Sequence, residues 1–166
     1  MKKIIAVSGV AKTGKSASIR ELADILDGIA TRIDRVDTYN GEVKAVYEYE
    51  GYKIAIYSWG DVADNIKKGI KYAEENDCDV LIIAVRTRGG TIETLEGYAK
   101  DKSIDITYVE KVKEADFDKA NEDFAKLLLD VLKRKIAELD DERIAEYKNS
   151  EEYRYIMRLM HYKRDS

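Results

Sequence analysis

An eight-residue loop near the start of the chain has the composition and spacing of a phosphate-binding loop. Residues 9–16 are Gly-Val-Ala-Lys-Thr-Gly-Lys-Ser, which fills the pattern G-x-x-x-x-G-K-[ST]. Glycines let the backbone curl so that N–H groups surround an anion. Lys15 would add a cation beside the outer phosphates, and the Ser16 hydroxyl is a suitable ligand for Mg²⁺. The residues expected to contact the phosphate chain are Gly9, Ala11, Lys12, Thr13, Gly14, Lys15, Ser16 and Ala17.

The segments on either side of this loop agree with that interpretation. Residues 2–8 form a short β-branched run typical of a buried parallel strand. From Lys15 to about Gly28 apolar residues recur at helical spacing, so the loop leads into a helix whose unpaired N–H groups favour phosphate. With this strand, loop and helix the chain resembles the P-loop NTPase superfamily over about residues 2–132. The resemblance implies a doubly wound α/β fold that binds a nucleoside triphosphate and Mg²⁺.

The order of the next segments is similar to that of Ras-like GTPases, with a helix, an exposed loop and a hairpin that ends in a Gly/Asp turn. The Asp-x-x-Gly motif of that family is absent, because residues 58–61 are Ser-Trp-Gly-Asp. The guanine-binding motif Asn/Thr-Lys-x-Asp is also absent, since Val85 is followed by Arg-Thr-Arg-Gly-Gly-Thr. We therefore expect ATP ahead of GTP.

A carboxylate is needed near such a loop to hold Mg²⁺ or its waters. Asp61 directly follows an apolar strand and so lies at the carboxyl end of the predicted sheet, which predicts a metal-binding or catalytic role. The alternative is that Asp61 caps the next helix. Asp79 lies at the start of its strand, at the wrong end of the sheet, and Asp37 is a weaker candidate. Asp37 and Thr38 occupy the place of the switch-like loop of small GTPases.

A turn with two arginines follows the apolar strand at residues 79–85. Arg86 and Arg88 are expected to border the same crevice, because that strand is predicted to lie beside the first one. One of them would neutralise a transferring phosphate, or the two would hold a second small anionic substrate. Thr91 is expected to cap the helix that follows. The alternative is a solvated basic turn.

The apolar patterns predict an α/β, three-layer P-loop NTPase fold with a mostly parallel sheet and one antiparallel hairpin strand. Residues 30–41 lack periodicity and are predicted to be an exposed connection. The predicted strand order is 2-3-1-4-5. The predicted strands are residues 2–8, 42–50, 52–59, 79–85 and 104–109, and the predicted helices are residues 15–28, 61–76 and 91–101 and a long helix from about residue 116.

The end of the chain is predicted to be a separate helical segment. Residues 1–140 are assigned to the nucleotide-binding domain, and residues 141–166 to a charged, tyrosine-rich tail. The tail is expected to pack on the domain, or to extend from it and mediate a homodimer or the binding of a partner protein.

Composition excludes several kinds of chemistry. The chain of 166 residues has a single cysteine, Cys78, and a single histidine, His161. An intramolecular disulfide, a histidine-clustered metal site and an internal Ser-His-Asp triad are therefore not expected. A net charge of −4 indicates no general attraction to nucleic acid. No segment approaches the roughly 20 apolar residues that cross a bilayer, so no membrane association and a cytoplasmic location are expected.

Three functions remain open on these grounds. The first is Mg²⁺-dependent hydrolysis of a nucleoside triphosphate. The second is a small-molecule or nucleotide kinase whose acceptor is held by Arg86 and Arg88. The third is a regulatory module that binds a nucleotide with little turnover. The predicted catalytic residues are Lys15, Asp61, Arg86 and Arg88, and the predicted metal ligands are Ser16 and Asp61.

Overall fold

Apolar, β-branched runs form the centre of a six-stranded sheet. A computed structural model describes the backbone of residues 1–165 and the side chains of residues 1–162. The strands are β1 (Lys3–Ser8), β2 (Thr31–Asp37), β3 (Val43–Tyr49), β4 (Tyr52–Tyr57), β5 (Val80–Val85) and β6 (Asp105–Glu110). Within the described residues the helices are α1 (Lys15–Ile29), α2 (Ala63–Glu75), α3 (Gly90–Lys102), α4 (Phe117–Lys148) and α5 (Glu151–Asp165). The chain is therefore an α/β protein.

The sheet is mixed, with the strand order β2-β3-β4-β5-β1-β6. β4, β5, β1 and β6 are parallel neighbours, whereas β3 pairs antiparallel with both β2 and β4. β1 and β5 are buried at every position, as expected for parallel strands that are covered on both faces. The four parallel strands have their carboxyl ends at the same end of the sheet. The start of β3 lies at that end too, because β3 runs in the opposite direction.

The predicted strand order 2-3-1-4-5 is wrong. In that numbering the observed order is 2-3-4-1-5, because β5 lies between β4 and β1. An apolar run indicates that a strand is buried, but β4 and β5 are both apolar runs and the pattern does not say which of them neighbours β1. As a consequence, β4 and the residues that follow it lie one strand further from β1 than expected.

The prediction that residues 30–41 are an exposed connection is also wrong, because residues Thr31–Asp37 form the edge strand β2. This strand is mostly exposed and charged, so it lacks the apolar pattern of a buried strand. Besides its antiparallel pairing with β3, it makes ion pairs with α1: the Arg35 guanidinium contacts Asp27 at 2.6 Å and Asp24 at 2.8 Å. On the neighbouring strand, Tyr47 donates a hydrogen bond to Asp27 at 2.7 Å. Charges of this kind are typical of edge strands, which must not pair with other chains.

The chain forms two compact units, Met1–Val131 and Leu132–Ser166. Helix α4 begins in the first unit and continues without interruption past residue 140, the position that the sequence suggested as a boundary. In the second unit Ser150 separates the two helices, and its hydroxyl accepts a hydrogen bond from the N–H of Tyr153 at 3.1 Å. The predicted helical character of the tail is confirmed for residues up to Asp165. Among the described residues, no helix is long and apolar enough to cross a membrane.

Candidate functional site

The 9–16 loop joins the carboxyl end of β1 to the first turn of α1. Gly14 precedes the helix with φ of 93°, in the left-handed region that favours glycine. A Cβ at this position would lie 2.3 Å from the amide oxygen of Asn121. Gly14 is therefore required both by its backbone conformation and by the close approach of a buried side chain.

The loop curls around the side chain of Lys15. The Lys15 ammonium donates a hydrogen bond to the carbonyl oxygen of Val10 at 3.0 Å and another to that of Gly9. The Thr13 hydroxyl bonds to the same Val10 carbonyl at 3.0 Å. Burial lowers the pKa of Lys15 below its ordinary value, while the nearby Asp61 carboxylate acts in the opposite direction. The ammonium is thus held in place before any anion arrives.

The N–H groups of the first turn of α1 lack helical partners. The bond from the N–H of Ser18 to the carbonyl of Gly14, at 2.9 Å, is the first of the helical type. The preceding N–H groups therefore remain at the helix end, where the dipole is positive. Anions bind readily at such an end.

A cavity of about 450 Å³ opens over this loop and helix end. Its volume falls within the range of roughly 300–1,000 Å³ that is typical of ligand pockets. Four cationic side chains and two carboxylates line it, so the local charge is opposite in sign to the net charge of the chain. The lining residues are Ala11, Lys12, Thr13, Gly14, Lys15, Ser16, Ala17, Arg20, Asn40, Gly41, Glu42, Asp61, Arg86 and Phe117.

Glu42 is the carboxylate that lies against the loop. The Ser16 hydroxyl donates to its two oxygens at 3.0 and 3.2 Å. The Ser58 hydroxyl donates to one of these oxygens at 2.5 Å, and itself accepts a hydrogen bond from the N–H of Val43 at 2.8 Å. Because Ser58 is buried, it fixes the direction in which the carboxylate points.

A tight turn before β3 fixes the backbone of Glu42. Its N–H donates to the Thr38 hydroxyl at 3.0 Å, and its carbonyl oxygen accepts from the N–H of Thr38 at 2.9 Å. Arg20, from α1, donates to the carbonyl of Gly41 at 3.0 Å. The loop compared above with the switch-like loop of small GTPases therefore places Glu42 at the cavity, and Thr38 holds the Glu42 backbone through hydrogen bonds.

Asp61 lies across the cavity and pairs with Arg86 at 3.4 Å. Its side chain is 67% exposed. It does not cap α2: that helix begins at Ala63, its N-cap residue is Val62, and no side chain caps it. The carboxylate is therefore directed toward solvent and Arg86, where it can contact water or a bound ligand.

The turn after β5 divides its two arginines. Arg86 lines the cavity, but Arg88 is not among its lining residues in the described part of the chain. Thr91 is buried and accepts a hydrogen bond from the N–H of Arg86 at 3.0 Å. Thr91 thus closes the turn instead of capping α3, whose N-cap residue is Gly89. The structure brings Lys15, Ser16, Asp61 and Arg86 together and leaves Arg88 outside.

The weaker candidates have structural partners elsewhere. Asp37 pairs with Arg35 at 2.7 Å. Asp79, directly before β5, accepts a hydrogen bond from the N–H of Lys53 near the start of β4 at 2.9 Å.

Sequence reasoning missed Glu42, Arg20 and Phe117, which also line the cavity. A signal for Glu42 was present, because it is the first residue of the predicted hairpin strand 42–50. In an antiparallel hairpin the start of one strand lies beside the end of the next, so Glu42 had to share an edge with residues 58–61. No comparable pattern indicated Arg20 or Phe117.

Comparison of the chain with protein-family models, with curated proteins and with solved structures finds no match. The site therefore has to be interpreted from its own geometry.

Proposed function

We propose that the protein binds a nucleoside triphosphate together with Mg²⁺ at the 9–16 loop and hydrolyses it, as a P-loop NTPase that uses ATP ahead of GTP. The observation that carries the proposal is the curled loop with the Lys15 ammonium at its centre, at the start of a helix whose first N–H groups are unpaired. That arrangement supplies both kinds of donor that a phosphate chain needs.

Each charged group around the cavity has a role in this proposal. Lys15 and the N–H groups at the start of α1 bind the outer phosphates. Arg86 lines the cavity and offsets the negative charge that develops during phosphoryl transfer. Asp61 is exposed and orients the attacking water. The resident ion would polarise the phosphate oxygens.

Hard oxygen ligands suit Mg²⁺, and the chain offers them at this site. The Ser16 hydroxyl and the carboxylates of Glu42 and Asp61 all face the cavity. Among the described residues no cluster of three or more His, Cys, Asp or Glu residues forms a separate metal site. Phosphate oxygens and waters would complete the coordination, as is usual for Mg²⁺ in nucleotide sites.

The test is binding and turnover of ATP and GTP by the unaltered chain and by Lys15→Ala. Loss of the central cation is expected to weaken triphosphate binding by about 10- to 150-fold, since a charged hydrogen bond contributes about 1.5–3 kcal/mol. Lys67→Ala, on the exposed surface of α2, is the matched control and should bind normally. Circular dichroism shows whether each variant is folded.

Product analysis separates hydrolysis from the other two functions. ADP with free phosphate supports hydrolysis, whereas a phosphorylated acceptor in a panel of nucleosides and nucleotides would indicate a kinase. Tight binding without turnover would indicate a regulatory module. If folded Lys15→Ala retained tight Mg²⁺-ATP binding, the assignment of the loop would be wrong.

A further inference from the structure

A Mg²⁺ site at the 9–16 loop would need a carboxylate, and the strands that flank β1 would be its expected source. β5 and β6 are the neighbours of β1, and an acid at the carboxyl end of a neighbouring strand would be the simplest metal ligand. β5 is followed by Arg86, and Glu110 at the end of β6 does not line the cavity among the described residues. The two strands that flank β1 therefore deliver no carboxylate to the loop.

We infer that Glu42, at the start of the antiparallel strand β3, is the direct carboxylate ligand of the magnesium ion, paired with the Ser16 hydroxyl. The inference rests on the proposed function, since the ion would be bound together with the triphosphate. It differs from the expectation from sequence, in which Asp61 was the acidic ligand.

The spacing of the oxygen atoms supports this pairing. Mg²⁺ requires near-octahedral geometry with ligands at about 2.0–2.1 Å, so two adjacent ligand oxygens are about 2.9 Å apart. The Ser16 hydroxyl oxygen lies 3.0 and 3.2 Å from the two oxygens of Glu42. An ion can therefore bind the Ser16 hydroxyl oxygen and one Glu42 carboxylate oxygen with little rearrangement, once the hydroxyl proton of Ser16 turns to another acceptor.

The hydrogen bonds of Ser58 make Glu42 a prepared ligand. Since the Ser58 hydroxyl accepts from the N–H of Val43, its own proton is directed to Glu42. That bond holds one carboxylate oxygen and leaves lone pairs on both for the ion. Ser58 is thus a positioning residue: it orients a ligand without contacting the metal.

Asp61 is less suited to this role in the structure. Its carboxylate pairs with the Arg86 guanidinium at 3.4 Å, whereas Ser16 bonds to Glu42. A carboxylate beside a cation is a weaker metal ligand, because the cation repels the ion and competes for the same oxygen. We therefore assign Asp61 to the attacking water and Glu42 to the metal ion.

The experiment measures the Mg²⁺ dependence of nucleotide binding, with a fluorescent non-hydrolysable ATP analogue and increasing MgCl₂. For Glu42→Gln, we expect the Mg²⁺ concentration at half-maximal effect to rise at least tenfold, because the amide keeps the shape but removes the charge. Ser58→Ala should raise it by about threefold. Asp61→Asn should raise it much less than Glu42→Gln does. The control Glu48→Gln, an exposed residue of β3, should change it less than twofold.

A second measurement observes the ion directly. Mn²⁺ in place of Mg²⁺ gives an electron paramagnetic resonance signal that reports the bound fraction, and Glu42→Gln should lower that fraction in the presence of the analogue. Glu42→Asp, which keeps the charge but retracts it, should restore part of the binding. Thermal unfolding identifies any variant that fails to fold.

The outcomes distinguish failure of the ligand assignment from failure of the proposed function. If the unaltered chain binds the analogue and Glu42→Gln responds to Mg²⁺ as the unaltered chain does, the ligand assignment is overturned and the proposed function stands. A large effect of Asp61→Asn with none of Glu42→Gln would return the metal to Asp61. Failure of the unaltered chain to bind the analogue at all would overturn the proposed function itself.

Discussion

The 9–16 loop and the 86–91 turn are built from similar parts but produce different surfaces. Each follows a fully buried parallel strand, the two strands are neighbours, and each connection leads into a helix preceded by a glycine with φ near 93°. Each also carries two cationic side chains. In the loop, Lys15 is buried among backbone carbonyls, whereas in the turn Arg86 is 41% exposed and pairs with Asp61.

The difference comes from the length of the connection. The loop has enough residues to fold back over its own lysine, so backbone groups position the cation. The shorter turn is closed by one bond from the N–H of Arg86 to Thr91, which leaves its arginine side chains outside. In the proposed function the buried Lys15, held by the backbone, binds the phosphates, and the exposed Arg86 offsets the developing negative charge.

The largest expected effect in this comparison comes from replacing Asp61. Its carboxylate pairs with Arg86 of the turn and lies near Lys15 of the loop. Asp61→Asn should lower turnover by about 100-fold or more, because positioned proton transfer contributes about 10²–10⁴-fold. Its exposed pair with Arg86 adds little to stability, since such pairs contribute about 0–1 kcal/mol. Steady-state turnover and thermal unfolding measure the two effects. A large loss of stability with normal turnover would assign Asp61 a structural role instead.

A smaller effect is expected from the two arginines. Arg86→Ala should lower turnover by about tenfold, because the guanidinium lines the cavity and would stabilise the transferring phosphate. Arg88→Ala is its matched control and should change turnover less than twofold. Equal losses in both variants would mean that the turn acts as a unit and that the difference in placement has no consequence.

The smallest expected effect is on the pH dependence of binding. Burial lowers the pKa of Lys15 below its ordinary value of 10.5, so its proton is lost at a lower pH than that of an exposed lysine. An arginine keeps its charge throughout this range. Triphosphate affinity should therefore fall as the pH rises from 7.5 to 9.5, as measured by titration calorimetry. A flat profile would mean that the Arg86 side of the cavity carries the affinity.

Sequence reasoning located the central strands well, because β1 and β5 are continuous apolar runs that are buried on both faces. It failed at β2, whose exposed, charged residues resemble a loop. That strand is held by side chains from α1 and α2: Arg35 pairs with Asp24 and Asp27, and Asp34 accepts from Tyr72 at 2.6 Å. Such long-range pairs leave no periodic trace in the sequence.

The candidate site shows the same division. Lys15 and Ser16 belong to a local motif, since neighbouring residues of one loop and one helix turn create the proposed anion site. Glu42 and Ser16 are 26 positions apart and meet only because β3 runs opposite to β4. Arg86 and Arg88 are equivalent in the sequence, but the side chains of the turn place only Arg86 at the cavity among the described residues.

The sequence by itself determined the loop, its buried strand and the α/β character, because these follow from the spacing of glycine, lysine and apolar residues along a short stretch of chain. The tertiary structure alone decided which strands are neighbours, which acid lies against Ser16 and which arginine faces the cavity. The physical reason is that hydrophobic periodicity records whether a residue is buried, whereas the identity of its partner depends on topology and on side-chain hydrogen bonds between distant segments.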